Sequence, residues 1–131
     1  MIIFEDHKFN WKGKIIVFLA IVIVTGIPWW ISTYTQYLKN GLYSGASVII
    51  CAVCAGVLAY NTKHKKRICI LIPIAAHQIA FFIKAYIDCL PDPTNHNLIP
   101  FEILGHLLVD GVLCLIIVVM AKVLKSISVK K

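Results

Sequence analysis

The sequence predicts an all-α membrane protein, a four-transmembrane-helix bundle of antiparallel up-down topology with both termini cytoplasmic. Three observations carry that expectation. The chain is 60% hydrophobic with a mean hydropathy of +0.84, and only 15% of its residues are charged, against ~25% in soluble domains. Its apolar residues fall into four runs of the length a bilayer crossing requires, ~20 residues at ~1.5 Å rise per residue. All thirteen basic residues except Lys39 and Lys84 lie in the terminal segments or in the run Lys63 to Arg67, the distribution that the positive-inside rule produces. Four spans with short connections use nearly all of the 131 residues. Residues 1–131 are therefore expected to form one integral membrane domain, with spans at about 14–37, 43–61, 68–90 and 98–124.

The first span opens with the apolar run Ile15 to Val24 and is expected to be retained, because no small-x-small cleavage site follows it. Gly26 and Pro28 should bend it, since proline removes an amide donor. Trp29, Trp30, Tyr34 and Tyr37 then form an aromatic cluster suited first to an interfacial belt, the alternative being that Trp29 and Trp30 pack inward against the polar hairpin. The second span is rich in small residues, with Ala52 and Gly56 four positions apart, a spacing that lets helices approach closely in lipid. Val118, on the fourth span, is expected to lie away from such contacts. Lys63 to Arg67 reads as a cytoplasmic loop able to touch anionic headgroups. Because the basic residues cluster at span ends and do not interleave with exposed aromatics, nucleic acid is not an expected partner. The expected partners are the lipid bilayer and a membrane-protein partner or second copy, in a bacterial inner membrane.

The third and fourth spans carry residues that lipid does not tolerate without cause. His77, Lys84 and Asp88 share a stripe on one helix, and Glu102, His106 and Asp110 recur at i, i+4 and i+8 on the next. A charge near the bilayer centre costs ~2.5–3.5 kcal/mol, so each must find a partner or a function. In an antiparallel hairpin, Lys84 matches Glu102 and His106 in depth, and His77 matches Asp110. The expectation is a Lys84–Glu102 ion pair, with Asp110 reaching His77 and with Gln78 or Ser47 helping to satisfy them. His77, Lys84, Asp88, Glu102, His106 and Asp110 together form the candidate ligand or ion pocket, expected to open outward.

Between these spans, Pro91 and Pro93 break the third helix, Thr94, Asn95 or Asn97 can cap the fourth, and Pro100 suits its first turn. The run Asn97-Leu98-Ile99-Pro100-Phe101 is similar to a sequence found in VanZ-like membrane proteins. It covers five residues, and no function is carried across. Cys51-Ala52-Val53-Cys54 in a four-helix bundle resembles the DsbB-like quinone-coupled thiol oxidoreductases. That resemblance is partial, because the reactive pair in that family works near the outer face, whereas this one falls at mid-helix.

Five cysteines spread through apolar segments suit buried packing better than a secreted disulfide framework. Asp88, Asp92, His96, Glu102 and His106 offer oxygen and imidazole ligands near the outer mouth, but no H-E-x-x-H, phosphate-binding loop or serine-hydrolase elbow is present, so no metal site is expected from a motif and the sequence names no cofactor. The expected role is non-enzymatic, in transport, ligand binding or as an accessory protein. The alternatives are a membrane-embedded enzyme, with His106 or Glu102 as general base and Lys84 as electrostatic stabiliser, or an interaction or immunity protein.

Overall fold

In a computed structural model of the chain, residues 11–62 and 66–129 are described, the side chains of Trp11, Lys12 and Val129 excepted. Lys8, Lys63, Lys65, Lys130 and Lys131, on which the topology expectation partly rests, lie outside the described residues. The chain forms α1 (Trp11–Trp30), α2 (Tyr34–Lys39), α3 (Leu42–Asn61), α4 (Lys66–Cys89) and α5 (Ile99–Val129). Four of these, α1, α3, α4 and α5, are long and apolar enough to cross a membrane. Their large apolar side chains, such as Ile16, Leu71, Phe101 and Leu108, face outward, while His77, Lys84 and Asp110 are buried. That inversion of the water-soluble pattern is the arrangement a lipid solvent imposes.

The first helix departs from expectation. It passes through Pro28 but ends at Trp30 instead of running to Tyr37. Thr33 then starts α2 with a capping box: its Oγ1 accepts the Gln36 amide at 3.3 Å, and Gln36 Oε1 accepts the Thr33 amide at 2.9 Å. Hydropathy cannot register such a break, because it depends on two polar side chains satisfying helix-end amides. The aromatic cluster is corrected too. Trp29 is wholly buried, its Nε1 donating to Ser44 Oγ at 3.4 Å, and Trp30 Nε1 donates to the Ala80 carbonyl at 3.1 Å. Both indoles find partners between helices, which removes the reason for them to sit in a belt. The last helix runs five residues beyond the expected limit, to Val129.

The helices pack with α3 against α1, α4 and α5, and with α4 against α1 and α5. Two layers result. Towards the α3–α4 connection the core is apolar, built from Cys51, Ala55, Ala59, Cys69, Cys114 and Val118. Towards the α4–α5 turn it is aromatic and polar, with Trp29, Tyr37 and Phe81 surrounding the charged residues described below.

Small residues make the close approach possible, as the sequence suggests. A methyl group at Gly56 would meet Ile117 Cγ2 at 2.6 Å, so α3 and α5 are in contact with no space for a side chain. Val118 does not lie away from contacts; it is fully buried in the same apolar layer. Gly56→Leu should therefore lower the thermal midpoint in detergent, costing ~1–3 kcal/mol by overpacking. Val57→Leu, on the exposed side of the same helix, should be nearly neutral. Equal midpoints for the two variants would contradict the close packing.

Candidate functional site

Asp110 lies in α5 with its side chain wholly buried, and its partner is the one depth matching indicates. Its Oδ2 lies 2.6 Å from His77 Nδ1 on α4, and Gln78 Nε2 donates to the same oxygen at 3.4 Å. The other His77 nitrogen, Nε2, is 2.8 Å from Ser47 Oγ on α3. Ser47 in turn donates its hydroxyl to the Thr25 carbonyl on α1. A carbonyl only accepts, so the serine proton is committed to Thr25 and His77 Nε2 must carry the hydrogen that Ser47 accepts. A single proton then sits between Nδ1 and the carboxyl group. Trp29 stacks on the His77 ring, with centroids 4.4 Å apart and planes inclined by 13°, which fixes the ring plane from the other side.

A second network lies towards the α4–α5 turn, and it corrects the expected Lys84–Glu102 pair. Lys84 Nζ donates to Asp88 Oδ1, one helical turn along the same helix, at 2.8 Å, and to the Ser32 carbonyl at 2.5 Å. The break after α1 supplies that carbonyl, since the backbone leaves the helix there. Asp88 Oδ2 is 2.9 Å from His96 Nε2, and His96 Nδ1 is 2.8 Å from Glu102 Oε2. Tyr37 completes the chain, donating to Glu102 Oε2 at 3.0 Å. Burial, reinforced by the Glu102 carboxylate, pushes the Tyr37 hydroxyl well above the usual tyrosine range, so it remains a donor.

His96 holds this network together from an uncommon backbone conformation, φ +55°. Its amide donates to Tyr34 Oη at 3.0 Å, and Asn95 Nδ2 donates to the Asp88 carbonyl at 2.7 Å. Asn95 thus closes the C-terminal end of α4 and does not cap α5. Asp92 stays out of the network, fully exposed, with hydrogen bonds from Thr94 holding its carboxyl below the usual range.

His106 stands between the two networks. Its ring contacts Trp29 and Phe81 at centroid separations of 5.1 and 4.9 Å, and the His77 ring is 6.1 Å away. It also forms part of the wall of a groove of about 430 Å³ between α3 and α5, lined by Ser44, Gly45, Val48, Gly105, Val109 and Leu113 among others. Three buried polar atoms lack a hydrogen-bond partner among the described residues: His106 Nδ1, Gln78 Oε1 and Asp110 Oδ1. Each such group costs ~1–3 kcal/mol when nothing satisfies it.

Of the six residues singled out in the sequence, the structure brings His77 to Asp110, Lys84 to Asp88, and Glu102 to Asp88 through His96, with His106 near both networks. Sequence reasoning did not include Ser32 or Tyr37 in the site, and it brought in His96 only as one of the outer-mouth groups able to ligate a divalent cation. Ser47, His77 and Asp110 stand in serine–histidine–carboxylate order, yet they are not poised for nucleophilic attack, because the serine proton is directed to Thr25 and not to the imidazole. What fold and site define is a class: an all-helical protein of four long apolar helices around a polar half-core. The chain matches no protein-family model, no curated protein and no solved structure.

A double-mutant cycle on folded fraction in detergent separates the two pairings of Lys84. Lys84→Met with Asp88→Asn should show a coupling of ~1–3 kcal/mol, and Lys84→Met with Glu102→Gln a smaller one carried through His96. Coupling to Glu102 alone would reject the observed pairing.

Proposed function

We propose that the protein is a small multi-pass protein of a bacterial inner membrane, with both termini cytoplasmic, that binds an amphiphilic ligand taken sideways from the bilayer. Its role on this reading is in transport, ligand binding or as an accessory protein. The observation that carries the reading is His106, whose buried Nδ1 has no partner among the described residues, in the wall of the apolar groove between α3 and α5. The groove surface is apolar, with Ser44 and the His106 ring set in its wall, which suits a ligand with an apolar body and a small polar group. Tyr34, Tyr37 and His96 pack at the end of the core beside the α4–α5 turn, which supports the groove as the route of entry on this reading.

The topology is supported by the gathering of basic residues at one end. Lys122 and Lys125 of α5 both donate to the Thr62 carbonyl at the end of α3, at 3.0 and 3.2 Å. Lys66 and Arg67 open α4 beside them, and by the positive-inside rule that end faces the cytoplasm. Single cysteines placed at Lys65 and Asn95 in a chain stripped of its own cysteines should respond oppositely to an impermeant thiol reagent added outside cells. Asn95→Cys should label and Lys65→Cys should not; the reverse pattern would invert the topology.

Gly105→Leu tests the groove. A Cβ at Gly105 meets nothing within 4 Å, so the variant should fold while its side chain fills the space. Native mass spectrometry of protein extracted from bacterial membranes should show a non-protein mass retained by the natural sequence and lost in both Gly105→Leu and His106→Ala. Retention of the same mass in both folded variants would end the groove reading.

A further inference from the structure

The geometry points to a divalent transition-metal site at the centre of the bundle, held by Cys51 of α3, His77 of α4 and Asp110 of α5, with Zn²⁺ the ion whose preferences it fits. Each of these side chains offers one ligand atom within 4.8 Å of the other two, and all three side chains are buried. Around tetrahedral zinc, Zn–S of ~2.3 Å and Zn–N or Zn–O of ~2.0–2.2 Å set ligand atoms ~3.3–3.6 Å apart. The three donors must therefore draw in by roughly 1 Å at most, while the short His77–Asp110 contact opens. No backbone rearrangement is needed for shifts of that size.

Three further features point to an ion and not to packing alone. The Asp110 carboxyl is wholly buried, and its Oδ1 has no partner among the described residues. His77 already has the outer hydrogen bond that metal-binding histidines use: Nε2–H donates to Ser47 Oγ, which itself donates to Thr25, leaving Nδ1 as the ligating nitrogen. Cys114 Sγ lies 3.8 Å from Cys51 Sγ, placed to donate its S–H to a bound thiolate.

Charge favours a divalent ion. Binding requires the Cys51 thiol to lose its proton and the proton shared by His77 and Asp110 to leave, both to water. One thiolate, one carboxylate and a neutral imidazole then balance the two positive charges. The site is neutral before and after, which matters in a low-dielectric interior where an unbalanced charge is costly. A mixed sulfur, nitrogen and oxygen donor set suits zinc better than magnesium or calcium, which take oxygen donors.

The test uses the full-length, untagged protein in detergent with Co²⁺ as the spectroscopic probe. The natural sequence should bind about one ion per chain, with a sulfur-to-cobalt charge-transfer band and the intense visible bands of a tetrahedral ion. Cys51→Ala, which leaves the His77–Asp110 bond intact and should fold, is expected to lose the sulfur band and at least ~10-fold in Co²⁺ affinity. Cys54→Ser should keep both. Circular dichroism and elution volume establish that each variant is folded. Absence of the sulfur band in the natural sequence at excess Co²⁺, or its survival in folded Cys51→Ala, would overturn the assignment. Gly105→Leu fills the groove without touching these ligands and should keep the band, so failure of the groove reading and failure of the metal site are distinguishable.

Discussion

The bond between His77 and Asp110 is the constraint on which the bundle depends. Through Ser47 and the Thr25 carbonyl it continues into a chain of hydrogen bonds that touches all four long helices. In lipid, helices gain nothing from burying apolar side chains against one another, so their relative rotation is set by close packing and by polar groups that must meet. Here rotating any one of the four helices away from this chain strands a buried polar atom. Gly56 and its neighbours allow α3 and α5 to approach, but they do not choose the register; the imidazole and the carboxyl do.

The second network works differently. Lys84 finds Asp88 on its own helix and Ser32 at the break after α1, and the other Asp88 oxygen reaches across the turn to His96 and Glu102. Formal charges of opposite sign alternate along it when His96 donates from both ring nitrogens. Such an array stabilises the α4–α5 turn and seats α2 over the end of the core through Tyr34 and Tyr37. Polar groups therefore occupy one half of the core. The other half, around Ala55, Ala59, Cys69 and Val118, is apolar, and no polar path continues through it among the described residues. A cluster that stops at mid-bundle suits holding a ligand or ion better than conducting one.

Much of this was legible in the chain because lipid makes polar residues informative. Asp110 followed by an apolar run, and His77 at the matching depth, leave few other partners, and the structure joins them. The four long helices follow from run length alone. Lys84 shows where the reasoning stops: depth matching in a hairpin ranks Glu102 as its partner, but it cannot weigh that against a carboxylate one turn away on the same helix. Nor can it foresee that the first helix ends at Trp30, exposing the Ser32 carbonyl. Trp29 shows the same limit, since an indole at a span end suits a belt as well as inward packing until a facing Ser44 and a stacking imidazole are known. Tyr37 and His96 entered the site through tertiary contacts that no periodicity records.

Ser47 bears most directly on what the core can do. Its hydroxyl proton has two possible destinations, and they lead to different chemistry. Given to the imidazole, it would make a nucleophile and suggest acyl transfer. Given to the Thr25 carbonyl, as the geometry has it, it turns the imidazole around, so that Nε2 donates and Nδ1 faces Asp110. The first arrangement also needs donors for a developing oxyanion and room for a carbonyl group beside Ser47, whose side chain is fully buried. The second needs only space for an ion among three side chains already within reach of one another. His77 and Asp110, which beside Ser47 suggest a hydrolase in sequence order, therefore pair in space with Cys51 instead, and the deciding element is a backbone carbonyl on α1, the helix that carries none of these residues.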